Sequence, residues 1–381
     1  MVAQRIGVIG GGQLAWMMGF FAPRLNLELV IQTPSSDDPA VSEAKEVIFS
    51  AIADSQATAK LASISDVITF ENEFIDLGAL QSLAKQGVIF RPSLDSLAPL
   101  LDKYQQRCYL QSIGLPTPQF SLLEREEDLA TRLCESFPLV LKARRHGYDG
   151  QGTFIVKDPA ELSTIWYKYD RPSMLVEEFV PFTKELAIMV ARNAKGEIAT
   201  YPVVETYQKQ QVCRWVIAPA EVSQAVENRI QAIAKTIVEK LQVVGIFGIE
   251  LFLTADDKVL VNEIAPRTHN SGHYTLDACD ISQFEMQLRT VADKPFTSPT
   301  MKNFGAVMVN LLGYETSDSD YEKQRQQISR LPNTYLHWYG KTESHPGRKL
   351  GHVTVLLSSD EYSQAQEIAN KIESLWYSST S

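Results

Sequence analysis

The sequence predicts an α/β chain that opens on a doubly wound parallel sheet, and three observations carry that expectation. Short apolar runs alternate with helix-period segments through the first hundred residues. A glycine turn, Gly10 to Gly12, joins the first run to the first helix. After Pro181 the runs lengthen and the turn signals change to hairpin type, which predicts antiparallel strands after the parallel start.

Residues 5–9 read as the first strand, 13–22 as a helix stopped near Pro23, and 27–32 as the second strand. Arg5 followed by apolar residues to Ala22 has the outline of a leader. Gln13 interrupts it and no A-x-A site follows, so strand and helix is the reading kept. Residues 67–70 and 88–90 are further strands, with helical segments at 55–62 and 77–85. Residues 94–114 read as helical, ending at Gly114 before the stiff linker Leu115-Pro116-Thr117-Pro118. A second unit then has strands at 139–142, 153–156 and 174–177, with a helix after Asp158-Pro159. Hairpin turns fall at 194–196 and 255–257. Residues 222–241 form an amphipathic helix whose Val226, Ile230, Ile233, Ile237 and Leu241 recur every three or four positions. The tail from Asn303 is mixed, with a polar, solvated stretch at 315–327.

With 381 residues and 44% apolar content, the chain can bury a large core, and disorder is excluded. A net charge of −10 opposes a nucleic-acid surface, which needs Lys and Arg to neutralise phosphates. A local basic pocket can still hold an anionic metabolite. Cys108, Cys134, Cys213 and Cys279 lie far apart with no C-x-x-C pair, which predicts packing roles in a reducing, cytoplasmic setting. No uninterrupted apolar run approaches the ~18 residues of a membrane span, so no membrane partner is expected.

Residues 138–153, PLVLKARRHGYDGQGT, run from an apolar strand into Lys142 and then into a loop with Gly147, Gly150 and Gly152. Glycines let backbone N–H groups approach an oxyanion and a strand-end lysine adds charge, so the segment suits a phosphate site; a plain hairpin suits it equally. It is not a G-x-x-x-x-G-K-[ST] loop. Residues 10–15 match G-x-G-x-x-A, but Gln32 stands where a dinucleotide site wants an acid for the ribose. A phosphate or carboxylate at the helix start, or a tight turn with no ligand, are the other readings.

Glu250 and Glu263 flank the 255–257 turn and fall nearly opposite each other. Like charges facing across a sheet are destabilising, and a divalent cation between them reverses that; Asn262 would add a hard oxygen ligand. Two exposed carboxylates out of register are the alternative. Arg267, His269, Asn270, Ser271 and His273 then make a dense polar loop able to hold a small oxyanion. Residues 335–352 are aromatic, then basic, so Lys341, Arg348 and Lys349 supply either a second phosphate site or a solvated turn.

Taken together, GQL at 12–14, GYDG at 147–150, EE at 177–178, YPVVE at 201–205, NEIAPR at 262–267, HNSGH at 269–273, SQFE at 282–285, HWY at 337–339 and PGRK at 346–349 resemble the ATP-grasp superfamily. They are most similar to the N5-carboxyaminoimidazole ribonucleotide synthetases of purine biosynthesis. The resemblance implies an ATP-grasp fold with an N-terminal Rossmann-like domain (1–100), a small lid with the glycine loop (101–180), a body with metal carboxylates (181–300) and a C-terminal part with a ribotide phosphate clamp (301–381).

It also implies roles. ATP phosphates fall to Lys103 and Lys142, with Gly147, Tyr148, Asp149, Gly150, Gln151, Gly152 and Thr153 closing over them. Adenine meets Glu177, Glu178, Phe179 and Val180, the ribose meets Glu185, and Gln208 and Asn262 complete the nucleotide contacts. Glu250 and Glu263 would hold Mg²⁺. Asp149, Arg267, His269, Asn270 and Lys341 are the implied catalytic group, turning bicarbonate into carboxyphosphate and delivering it to 5-aminoimidazole ribonucleotide. That ribotide would meet Gln13, Tyr148, Asp149, Ser271, Lys341, Arg348 and Lys349. A homodimer is implied as well. Ala15-Trp16, His146, Gln151 and Gln208 depart from the family pattern. A formate-using ATP-grasp purine enzyme and a silent nucleotide-binding regulator are the alternatives.

Overall fold

The computed structural model describes residues 3–132, 137–145, 147 and 152–378. Strands β1 (Gln4–Ile9), β2 (Leu27–Thr33), β3 (Glu46–Phe49) and β4 (Val67–Phe70) form a parallel sheet in the order β3-β2-β1-β4. Ile6, Val8 and Ile9 are all fully buried, which is why β1 reads as a continuous apolar run rather than an alternating one. Leu14, Met17 and Met18 of helix Gln13–Gly19 pack with Phe284 and Leu288 of helix Gln283–Val291 against one group of sheet residues. Leu61 and Leu80, from helices Ser55–Ser63 and Leu77–Lys85, join another.

The first helix ends at Gly19, three residues short of the expected end, and a short 3-10 turn, Pro23–Leu25, follows. Residues 88–90 contribute only a single bridge, Ile68 to Phe90, while β3 is a strand that the expected pattern lacked. It holds a short apolar run, Val47-Ile48-Phe49, yet none of its residues is buried.

The second sheet contains β5 (Phe120–Leu123), β6 (Leu139–Ala143), β7 (Thr153–Val156) and β8 (Met174–Glu178), antiparallel in the order β5-β8-β6-β7. Gly152 precedes β7 at φ +78, and a Cβ there would lie 2.8 Å from the Ala143 Cβ, so only glycine allows this close approach.

The third sheet comprises β9 (Phe182–Arg192), β10 (Ile198–Thr200), β11 (Val204–Lys209), β12 (Val212–Ala218), β13 (Gly245–Thr254), β14 (Val259–Ala265), β15 (Gly305–Leu312), β16 (Thr334–Trp338) and β17 (Lys349–Leu357). Its order is β14-β13-β9-β11-β12-β15-β17-β16, with β10 on β9, so strands from the tail extend the same sheet as the body. Helix Gln224–Lys240 lays Val226, Ile230 and Ile237 on Ile188, Phe247 and Val261.

Residues 94–114 are not one helix. Leu94–Leu97 gives way to a 3-10 turn, and a new helix, Lys103–Ser112, begins at Asp102, whose carboxylate accepts the N–H groups of Tyr104 and Gln105. That cap places Lys103 and Arg107 one turn apart on one helix face. The polar stretch at 315–327 leads into helix Glu322–Ser329, which buries Gln324 and Ile328. No helix among the described residues is long and apolar enough to cross a membrane.

Candidate active site

A cavity of about 1110 Å³ is lined by the second and third sheets, by the segment after β4 and by the Lys103–Ser112 helix. Gln13, Glu71 and Glu73 line it from the first sheet's side, and Lys142, Gly147, Thr153, Glu177, Glu178, Phe179 and Val180 from the second and its exit. Glu185, Gln208, Glu250, Asn262, Glu263, Arg267, His269, Asn270 and Lys349 line it from the third.

The hairpin puts Glu250 directly opposite Glu263, with a register shift just after Glu250. Burial, then the neighbouring Glu263 and Glu185 carboxylates, pushes the Glu250 carboxyl up to about 7. Glu263 is held down: burial raises it, but the ammonium of Lys103, bonded to its Oε1, prevails. Glu250, Glu263 and the Asn262 amide are a hard oxygen set, yet no group of three or more His, Cys, Asp or Glu residues able to hold an ion occurs among the described residues. Such a pair fits an ion that completes its shell from phosphate oxygens and water, as Mg²⁺ does.

Lys142 Nζ lies 2.7 Å from Glu177 Oε2 and donates to Asn262 Oδ1 at 3.1 Å. Glu177 is 2% exposed and takes Arg107 on its other oxygen; burial alone would raise its carboxyl, but Lys142 and Arg107 hold it at about 2. The side chain expected at adenine is therefore turned onto cations. Glu178 accepts the Gln119 N–H at 2.9 Å. Burial raises Glu185 to about 7 even though it accepts the Gln208 backbone N–H.

In the polar loop, Arg267 makes a two-point pair with Glu73, Nε to Oε2 at 2.9 Å and Nη2 to Oε1 at 2.8 Å. His269 Nδ1 meets Ser271 Oγ at 2.9 Å and the Ser271 N–H at 3.4 Å, while Nε2 faces Glu250 Oε1 at 3.7 Å. A backbone N–H on Nδ1 assigns the proton of the neutral ring to Nε2. Gln283, fully buried, brackets His269 by accepting its N–H at 2.9 Å and donating to its carbonyl at 2.7 Å.

Two expectations shift here. Ser271 is buried behind His269 and orients it, so it is not a ribotide contact in this arrangement. Asn270 exchanges two amide hydrogen bonds with Asn310, at 2.8 and 2.7 Å, so its carboxamide fastens the loop to β15.

Toward the tail, Gln13 and Lys349 reach the cavity, but Lys341 and Arg348 are not among its lining residues. Lys341 Nζ donates to the Lys349 carbonyl at 2.9 Å and sits 5.6 Å from the Tyr339 ring. Arg348 donates to the Glu343 carbonyl at 2.8 Å. The helix start after Gly12, expected to help a phosphate, is met by the Glu71 carboxyl, which burial raises and which accepts the Leu14 N–H. Trp16, one of the departures from the family pattern, packs edge-on to Tyr339 at 6.0 Å. Tyr148, Asp149, Gly150, Gln151 and His146 lie outside the described residues.

Sequence reasoning missed Glu71, Glu73, Arg107, Gln283 and Asn310. A signal existed for two groups of them: Glu71 and Glu73 follow the carboxyl end of a parallel strand, where open α/β sheets bind ligands, and Arg107 lies four residues after Lys103.

Family models match in the same order. Residues 3–99 match the ribonucleotide synthetase preATP-grasp domain, 108–284 the ATP-grasp domain, and 306–366 the phosphoribosylaminoimidazole carboxylase C-terminal domain. The N5-carboxyaminoimidazole ribonucleotide synthase of Synechococcus elongatus is 52% identical over 98% of this chain and 95% of its own length. The chain belongs to the N5-carboxyaminoimidazole ribonucleotide synthase family. An ADP complex of N5-carboxyaminoimidazole ribonucleotide synthetase matches with a TM-score of 0.91 and 33% identity, covering 99% of this chain and 97% of that one. The Aspergillus clavatus enzyme in complex with ADP and 5-aminoimidazole ribonucleotide matches with a TM-score of 0.89 and 30% identity, covering 97% and 98%. The family is one of ATP-dependent ligases acting in purine biosynthesis, and the fold is ATP-grasp with a preATP-grasp domain.

Proposed function

We propose that the chain carboxylates 5-aminoimidazole ribonucleotide with bicarbonate, driven by ATP, as a cytoplasmic homodimer. The observation that supports this most is the junction, in one cavity, of Lys103 and Lys142 with the opposed Glu250 and Glu263 and with Arg267 and His269. The two lysines bind the phosphates of ATP, and the connector backbone from Glu178 to Val180 lines the adenine side. Glu185 accepts from the ribose hydroxyls. Glu250 and Glu263 would hold Mg²⁺, which would supply positive charge to offset that developing on the phosphate oxygens.

Bicarbonate oxygen attacks the γ-phosphorus, the bond to the ADP oxygen breaks, and carboxyphosphate forms. Arg267 and the Nε2–H of His269 orient that anion, and Asn270 holds their loop through Asn310. The exocyclic amine of the ribotide takes the carboxyl group, phosphate departs, and Asp149 accepts the amine proton. Gln13, Tyr148 and Lys349 bind the ribotide, and Lys341 and Arg348, which stand outside the cavity lining, would have to leave their carbonyl partners to join them. Excluding water protects the intermediate from hydrolysis.

ADP release measured with ATP, bicarbonate and the ribotide tests this reading. Release that requires the ribotide is expected; release indifferent to it would remove the substrate assignment.

A further inference from the structure

Arg107 carries a full charge yet is only 2% exposed. Its Nε bonds Glu177 Oε1, and its Nη2 donates to the Asn262 carbonyl at 2.5 Å. The other oxygen of Glu177 lies 2.7 Å from Lys142 Nζ, which in turn donates to the Asn262 amide oxygen at 3.1 Å. The four residues close a ring. It joins the Lys103–Ser112 helix to strands β6 and β8 of the second sheet and to β14, the strand carrying Glu263. Buried ion pairs add little stability over apolar residues of the same shape, so the ring's geometry is its distinguishing property.

We propose that Arg107 is a positioning residue for the nucleotide: by holding one oxygen of Glu177, it fixes where the second oxygen sets the ammonium of Lys142. This rests on the reading that Lys142 binds ATP phosphate. Without Arg107, Glu177 has one cationic partner left and draws the Lys142 ammonium onto itself, away from the cavity. Arg107 itself does not line the cavity, whereas Glu177 and Lys142 do. Its influence therefore passes through Lys142.

The test is a double-mutant cycle on KM for ATP, read from ADP release, with Arg107→Met, Lys142→Met and the double variant, and with melting curves to confirm folding. A charge-assisted bond from lysine to phosphate corresponds to roughly 10- to 100-fold in affinity, so Arg107→Met should raise KM by about that factor. In the Lys142→Met background the same change should have an effect of about twofold or less. Arg107→Lys, which keeps a charge on Glu177, should recover most of the loss and covers the case in which the methionine variant does not fold. Equal effects of Arg107→Met in both backgrounds would overturn the positioning role, as would an unchanged KM in folded protein. If Lys142→Met itself left KM unchanged, the phosphate reading of Lys142 would fail first, and the positioning role with it.

Discussion

Replacing Glu250 by Gln should stabilise the ligand-free protein at pH 8 while removing its activity. The carboxyl is raised from 4.5 to about 7 by burial and by Glu263 and Glu185. The unfolded chain therefore ionises this group near 4.5 and the folded chain near 7, so wild-type stability falls as pH rises through that window. At about 1.4 kcal/mol per tenfold, the full penalty has an upper bound of about 3 kcal/mol. The side chain keeps 21% exposure, so solvent and counter-ions reduce this to about 1–3 kcal/mol. Gln has the same shape and no charge. Urea unfolding at pH 8 without nucleotide or metal should find Glu250→Gln more stable by that margin, and the two proteins should converge near pH 4. Added Mg²⁺ and ATP should stabilise wild type and leave the variant nearly unmoved. A variant no more stable at pH 8, or equally more stable at pH 4, would refute the idea that these carboxylates store repulsion for a cation.

Glu263→Ala should abolish turnover and the protection of the protein by Mg²⁺ with ATP, read by differential scanning fluorimetry; activity close to wild type would remove the metal assignment. Asn310→Leu leaves the buried Asn270 amide without its partner and should cost about 1–3 kcal/mol by chemical unfolding, with a fall in kcat/KM for bicarbonate. Because burial places Glu185 at about 7, KM for ATP should rise as pH falls below that value and the ribose acceptor is protonated. Glu185→Gln should flatten that profile, and an unchanged slope would show that another group sets it.

The Glu250/Glu263 hairpin was legible to within one residue: the turn at 255–257 between two apolar runs sets Glu250 opposite Asn262, and the register shift just after Glu250, which no turn signal encodes, brings Glu263 opposite it. The parallel start was legible for a similar reason, since β1, β2 and β4 are buried runs bounded by turn residues. Strand β3 was not, because three apolar residues, Val47 to Phe49, are too short a run to mark a strand by period. Within the site, residue type showed which groups carry charge but not what they face. Asn270 and Ser271 look like ligand donors in sequence, and only the packing of β15 and the His269 ring shows that their polar atoms are committed to the protein. Arg107 and Glu73 had a positional signal but no readable partner, for the converse reason. They act through contacts 70 and 194 residues away, to Glu177 and Arg267, that no local pattern encodes.

The most direct test of the account follows labelled carbon. Purified protein given [14C]bicarbonate, ATP, Mg²⁺ and 5-aminoimidazole ribonucleotide should convert the ribotide into an acid-labile labelled product, one per ADP formed, and none when ATP or the ribotide is withheld. ADP formation without label on the ribotide, or labelling that does not need ATP, would contradict it.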